Sequence, residues 1–376
     1  MSWTVLVPVL GVLALAVTWG HDLGTVFVVL VAVVLAGAVL AAVHHAEVVA
    51  HRVGEPFGSL VLAVAVTVIE VALIVTLMVS GGKGSASLAR DTVFAALMIT
   101  TTGIVGLSLL VGARRFHVTL FNAEGSGAAL ATVTTLGTLS LVLPTFTTSQ
   151  PGPEFSPAQL TFAAFASLVL YGTFVLTQTV RHRDFFLPVT QTSENDGEKN
   201  DGEKNDDEKN DGEKNDEAGH APPPTSRAAL TSLGLLLVSL VAVVGLAKVE
   251  SPAIEDTVAA VGFPPSFVGV VIAMLVLLPE TLAAVRAARW GRIQTSLNLA
   301  YGSAMASIGL TIPTIALASI WLDGPLVLGL GPTQLVLLVL TVVVSVLTVV
   351  PGRATRLQGG VHLVLLAAFL FLAVSP

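Results

Sequence analysis

Eleven near-continuous apolar stretches run through this 376-residue chain, at about 4–19, 25–43, 57–79, 92–113, 127–147, 158–179, 228–247, 265–287, 295–321, 333–350 and 360–375. Each is long enough, or nearly so, to cross a hydrocarbon core of ~30 Å. In lipid every backbone polar group must find its partner inside the protein, which leaves helices or a closed barrel. Barrel strands alternate polar and apolar residues. These runs do not, so helices are expected. Charged residues make up only 11% of the chain, against about 25% in soluble domains. That excludes a soluble enzyme, a nucleic-acid binder and a disordered protein. Cysteine is absent, which removes disulfides, thiolate catalysis and cysteine-metal sites. The expected fold is all-α: a polytopic membrane protein of about eleven transmembrane helices. The first stretch lacks a basic n-region and a clean cleavage site, so it reads as a retained helix rather than a signal peptide.

The net charge of −7 is concentrated in one place. Residues 194–217 hold 12 acids and 4 lysines, so the rest of the chain is close to neutral. This segment repeats NDGEK or NDDEK four times and is followed by Pro222, Pro223 and Pro224. It reads as a solvated linker, with cation attraction or regulation as the functional alternative. Lys and Arg in the connections set orientation. One side receives fifteen of the 18 basic residues, and the other only Lys83, Arg90 and Lys248. The N-terminus is therefore expected in the cytoplasm and the C-terminus outside.

The linker divides the chain into a first helix (1–24), five helices (25–180), the acidic segment (181–227) and five more helices (228–376). An odd number of helices per unit turns the second unit upside down. That 1 + 5 + 5 arrangement with inverted repeats is the layout of secondary transporters, whose sites lie at the repeat interface.

Most acids outside the linker fall in connections or at helix ends. Glu70, in VLAVAVTVIEVALIVTLM, and Glu280, in GVVIAMLVLLPETLAAV, do not. Each lies about 20 Å along its helix at 1.5 Å per residue. A carboxylate at that depth costs several kcal/mol and normally faces a cavity that serves ions or protons. Pro279 removes the amide just before Glu280 and is expected to disturb the helix. The next helix of each repeat carries small polar residues: Thr100, Thr101, Thr102 and Gly103 in one, Gly302, Ser303 and Ser307 in the other. These are hard oxygen ligands for Ca²⁺ or Na⁺, or simply small residues that let helices approach closely. Two acids in a low-dielectric site hold protons when no cation is present, and a cation replaces those protons. Such competition for one site is antiport.

The stretch AEVVAHRVGEPFGSLVLAVAVTVIEVALIV (46–75) resembles the first conserved repeat region of the Ca²⁺/H⁺ antiporter family, within the calcium/cation antiporter superfamily. LPETLAAVRAARWGRIQTSLNLAYGSAMASIGLTIPTIA (278–316) resembles the second, and ARRFHVTLFN (113–122) fits the segment after the fourth helix. The likeness is greatest to bacterial members that also exchange Na⁺ or K⁺. It implies Ca²⁺/H⁺ exchange by alternating access, with Na⁺(K⁺)/H⁺ exchange as the alternative, and it maps the two essential glutamates onto Glu70 and Glu280. Thr67, Thr101, Thr102, Gly302 and Ser303 are then supporting positions. Where eukaryotic-like members carry Gly-Asn-Ala-x-Glu, this chain reads Val66-Thr67-Val68-Ile69-Glu70 and Val276-Leu277-Leu278-Pro279-Glu280, and Thr281 stands where those members often have His. No resident cofactor is expected. The partners are the lipid bilayer, the transported cations and protons, with no nucleic acid.

Glu55 is expected at the cytoplasmic mouth of the third helix, attracting cations or favoured by the helix dipole. His44, His45, Glu47 and His51 read as interfacial cytoplasmic residues, with pH sensing as the sharper option. His117 and His182 read as interfacial anchors, and Arg286, Arg289 and Arg292 as a basic stripe for lipid phosphate. A transporter rather than an enzyme is expected: there is no G-x-S-x-G and no H-E-x-x-H. An intramembrane metalloenzyme or a cation channel are the remote alternatives.

Overall fold

The computed structural model describes residues 2–21, 24–54, 57–80, 84–189, 224–321 and 324–376. Glu55 and the acidic segment 194–217 lie outside the described residues, with the expectations placed on them. In chain order the helices are α1 (Trp3–Thr18), α2 (Thr25–Val53), α3 (Phe57–Ser80), α4 (Ser85–Arg114), α5 (Ala123–Phe146), α6 (Pro157–Arg181) and α7 (Ser226–Ala260). Then follow α8 (Phe267–Val276 and Leu278–Arg289), α9 (Ile293–Ala318), α10 (Pro332–Val349) and α11 (Arg356–Val374). Among the described residues nine helices are long and apolar enough to span a bilayer, and the two halves of α8, bent by 52°, make a tenth. The first stretch forms a helix of only 16 residues, about 24 Å at 1.5 Å per residue, shorter than the core thickness.

The helix starts follow local chemistry. Asn122 caps α5 by accepting from the Gly125 amide at 2.9 Å. Ser156 and Gln159 form a capping box on α6 ahead of Pro157, and Thr355 with Gln358 forms another on α11. These satisfy amides that have no partner within the first turn.

Three helices run further than the apolar runs alone indicate. α7 continues past residue 247 to Ala260, which puts Lys248, Glu250, Glu255 and Asp256 on a helix rather than in a connection. α2 continues to Val53, so His44, His45, Glu47 and His51 occupy its last turns. His45 is buried, and its Nε2 lies 2.9 Å from the Thr4 carbonyl oxygen, tying α2 to α1. α4 starts at Ser85 and so includes Arg90 and Asp91.

The connections meet in two sets. Thr119–Leu120, after α4, pairs antiparallel with Arg353–Ala354, before α11. At the opposite end the Val327 amide donates to Ala86 O at 3.0 Å and Leu328 to Pro153 O at 3.2 Å. All four tryptophans are exposed at helix ends, Trp3 and Trp290 at the first of these ends and Trp19 and Trp321 at the other. Indole rings at both ends of a bundle are the mark of the two membrane interfaces.

The buried apolar residues form two clusters. One joins α1, α2 and α7, and the other joins α4, α5, α6, α9, α10 and α11. α3 and α8 contribute to both: Ile69 and Ile272 face the first cluster, Ile74 and Ala273 the second. The helices that carry Glu70 and Glu280 are thus the seam of the molecule. Gly269 makes that seam tight, because a Cβ there would lie 2.7 Å from the Thr92 amide nitrogen on α4. Backbone cannot yield as a side chain can, and overpacking of this kind costs about 1–3 kcal/mol. Gly269→Ala is expected to lower the thermal unfolding midpoint in detergent, and an unchanged midpoint would show that α8 shifts freely.

Candidate functional site

A cavity of about 460 Å³ lies between α3, α6, α8 and α9. Glu70 and Glu280 both line it, although they are 210 residues apart in sequence and come from opposite sides of the linker. Each lies thirteen residues beyond a phenylalanine, Phe57 or Phe267, that starts its helix. Thr67 is one turn before Glu70 on the same wall, and Gly302, Ser303 and Ser307 form the facing wall on α9.

The two carboxyl groups are held differently. Glu70 is buried and accepts a hydrogen bond of 2.7 Å from Ser307 Oγ. Glu280 has a buried Oε2 with no protein partner. Its helix is broken directly in front of it: the first half of α8 ends at Val276, and the second starts at Leu278 with Pro279 in its first turn. Proline has no amide to donate and its ring collides with the carbonyl four residues back, so the sequence-predicted disturbance appears as the 52° bend. Thr281 holds the break together, since its amide and its hydroxyl both donate to Leu277 O, at 2.9 and 2.7 Å. Glu280 therefore sits in the first turn of a half-helix. Discontinuous helices of this kind build ion sites in transporters.

Thr101 and Thr102 are not among the lining residues, contrary to the sequence expectation. They lie in a π-helical turn of α4, Ile99–Ile104. Thr101 Oγ1 donates to Leu97 O at 2.6 Å and Thr102 Oγ1 to Met98 O at 2.5 Å. Their hydroxyls are spent on backbone carbonyls one turn earlier in the same helix. The expectation of two intramembrane acids also widens. Asp91 and Glu250 are buried on helices as well. Asp91, however, is paired with Arg90 at 2.8 Å and accepts from Ser87 Oγ at 2.9 Å. Glu250 lies on α7 and does not line the cavity.

Sequence reasoning missed the polar rim. Gln178 and Thr179 at the end of α6, Arg183 just beyond it, and Thr295 and Asn298 on α9 also line the cavity. Asn298 donates to Phe186 O at 2.7 Å and accepts from Gln294 Nε2 at 2.9 Å, while Gln294 Oε1 accepts from the Asn122 amide at 2.7 Å. This chain of amides fastens the short 3₁₀ turn Arg183–Phe186 beside the opening. The signal was present: Thr295, Asn298, Gly302 and Ala306 recur at helical spacing on one face of α9.

Of the weaker candidates, Arg286, Arg289 and Arg292 are exposed at the end of α8 and just after it. His117 is exposed with a φ of 60° at the end of α4, and His182 stacks on Phe185 with ring centroids 5.3 Å apart. Among the described residues no group of three or more His, Asp or Glu side chains has the geometry to hold a resident metal.

The profile of the sodium/calcium exchanger protein family matches residues 23–180 and 231–375. The putative ionic transporter y4hA of Sinorhizobium fredii is 43% identical over 380 residues, covering 100% of this chain and 96% of that protein. The sodium-potassium/proton antiporter ChaA of Escherichia coli is 33% identical over 328 residues, covering 87% of this chain and 83% of that protein. Among solved structures, native YfkE superposes with a TM-score of 0.66 at 15% identity, covering 99% of this chain and 97% of that one. The H⁺/Ca²⁺ exchanger CAX gives 0.64 at 14% identity, covering 97% and 86%. At those identities the likeness is one of fold. With a family match over most of its length and relatives 43% and 33% identical, the chain belongs to the sodium/calcium exchanger protein family.

Proposed function

We propose that this protein is a cation/proton antiporter in which one cavity, bearing Glu70 and Glu280, binds either protons or a cation and opens alternately to the two sides of a bacterial plasma membrane. The observation that carries this reading is the convergence of the two carboxyl groups on a single cavity, one of them with a buried oxygen that no protein donor satisfies. An unsatisfied buried carboxylate is costly unless it holds a proton or a cation. Exchange follows because either ligand removes that cost and the two cannot be bound together. The division of the core into two clusters that meet at α3 and α8 supports alternating access by relative movement of the two. The equal depth of the two glutamates supports reading α2–α6 and α7–α11 as inverted repeats. The basic residues of the connections support a cytoplasmic N-terminus.

For the cation we propose Na⁺ or K⁺. The hydroxyls of Thr67, Ser303 and Ser307 share the cavity walls with the two carboxyls, and the 33% identical relative is a sodium-potassium/proton antiporter. Ca²⁺ is the second reading, favoured by the two carboxylates, whose charge a divalent ion neutralises. Uptake of radioactive sodium, rubidium and calcium into vesicles with an imposed pH gradient separates them. Gradient-driven uptake of a monovalent tracer supports the first reading, and uptake of calcium alone replaces it with the second. Ser307→Ala is expected to weaken cation uptake at fixed pH by roughly tenfold, the value of one hydrogen bond to a charged group. Unaltered half-saturation would place Ser307 outside the binding step.

A further inference from the structure

The π-helical turn of α4 stands directly behind the bend of α8. The residues of α4 before it, Leu88–Met98, pack on the first half of α8, and those after it, from Val105 onward, pack on the second half. Ser296 on α9 ties the latter arrangement, lying 2.5 Å from Ser108 Oγ of α4 and donating to Ala284 O of α8 at 2.9 Å. The bend that presents Glu280 is therefore matched by a change of helical phase in its neighbour.

A π turn needs its freed carbonyls satisfied, and in lipid water does not do it. The hydroxyls of Thr100, Thr101 and Thr102 fold back onto Ala96 O, Leu97 O and Met98 O, one turn earlier in the helix, and do not serve the turn's own carbonyls. Thr101 O is left over: the Val105 amide, which would reach it in an α-helix, turns instead to Thr100 O and Thr102 O. His362 on α11 fills this gap. It is 0% exposed, and its Nδ1 lies 3.0 Å from Thr101 O. A carbonyl only accepts, so Nδ1 carries the proton. Its Nε2 is 3.1 Å from the hydroxyl of Thr348, which also lies 2.9 Å from Val344 O. Both ring nitrogens are thus engaged, and the ring is fixed in tautomer and orientation. Glycines bring the two helices together at this level. A Cβ on Gly106 would lie 3.0 Å from His362 Cβ, and one on Gly359 would lie 2.7 Å from the Leu110 amide nitrogen.

We propose that His362 is a positioning residue for the ion site: its Nδ1–H bond to Thr101 O holds the π turn of α4 open, and that turn supports the bend of α8 that places Glu280 in the cavity. The proposal rests on the exchange reading of that cavity. Without the donor, the turn relaxes toward an α-helix, the two halves of α4 rotate relative to each other, and Glu280 is displaced from the cation.

The test is cation-evoked proton flux by the full chain in proteoliposomes, with His362→Asn and His362→Leu beside the wild type. Asn carries an amide donor in place of Nδ1 and Leu carries none. Outer supports of ion ligands are worth about 10- to 100-fold in affinity. The Leu variant is expected to raise the half-saturating cation concentration by about tenfold or more with a smaller change in maximal rate, and the Asn variant to restore it. Half-saturation unchanged in the Leu variant, or equally impaired in both, would overturn the proposal. If the Leu variant does not insert, His362→Gln replaces it, since its donor sits one bond too far from Thr101 O. Gln impaired and Asn not supports the role, and equal half-saturation overturns it. Wild-type flux and its loss in Glu280→Gln, run alongside, keep a failure of this proposal distinct from a failure of the exchange reading.

Discussion

Glu280→Gln is expected to abolish cation-evoked proton movement while leaving the protein folded and inserted. Gln has the shape of Glu but neither releases a proton nor bears the charge that holds a cation. The Oε2 of Glu280 has no protein partner, so no structural bond is lost with the charge. A reduction in flux of at least about 10²-fold is expected, in line with removal of a group on which the transition state depends. Thermal stability should be unchanged or raised, because an unpaired buried charge is removed. Glu70→Gln is expected to give the same loss of flux. Its amide oxygen still accepts from Ser307, so the 2.7 Å bond of the wild type has a replacement. Purified variants that remain monodisperse and inactive bear out the site. Normal flux in either would remove that glutamate from the mechanism.

The second large effect comes from filling the cavity. Gly302 lines the wall opposite the glutamates, and a Cβ built there meets nothing within 4 Å. In the proposed exchange, the space that accepts the side chain is the space the cation needs. Gly302→Leu is expected to stop exchange as completely as the loss of a glutamate, with no loss of thermal stability, whereas Gly302→Ala leaves exchange within about threefold of the wild type. The contrast with Gly269, where a Cβ meets backbone at 2.7 Å, separates a glycine that keeps space open from one that lets helices touch. Flux and unfolding midpoint measured on the same preparations decide it. A Leu variant that exchanges normally would show that the cation passes elsewhere.

That Glu70 and Glu280 face a cavity was legible because a carboxylate inside an apolar run has few structural excuses. Pro279 was legible as a break because proline acts locally, through its own missing amide. The ends of the helices were not. Lys248, Glu250, Glu255 and Asp256 look like a connection by composition, yet α7 carries them to Ala260, because hydrogen bonding along the helix and packing on α1, α2 and α3 override the polarity of a few side chains. Thr101 and Thr102 illustrate the opposite error. Their chemistry suited an ion site, but the π turn turns their hydroxyls back onto the helix. No periodicity in the sequence announces a single wide turn. The rim residues Gln178 and Asn298 were overlooked because polar groups near helix ends are ordinary, and only the cavity between α6 and α9 gives them a common place.

The central claim is that cations and protons displace one another at Glu70 and Glu280. The most direct measurement is proton release from acid-loaded proteoliposomes of the wild-type protein when Na⁺, K⁺ or Ca²⁺ is added outside, repeated over a range of external pH. The account predicts that at least one cation dissipates the gradient, and that its half-saturating concentration rises as external pH falls, because more protons then compete for the same carboxyl groups. Cation uptake without proton release, or a half-saturating concentration independent of pH, would contradict it.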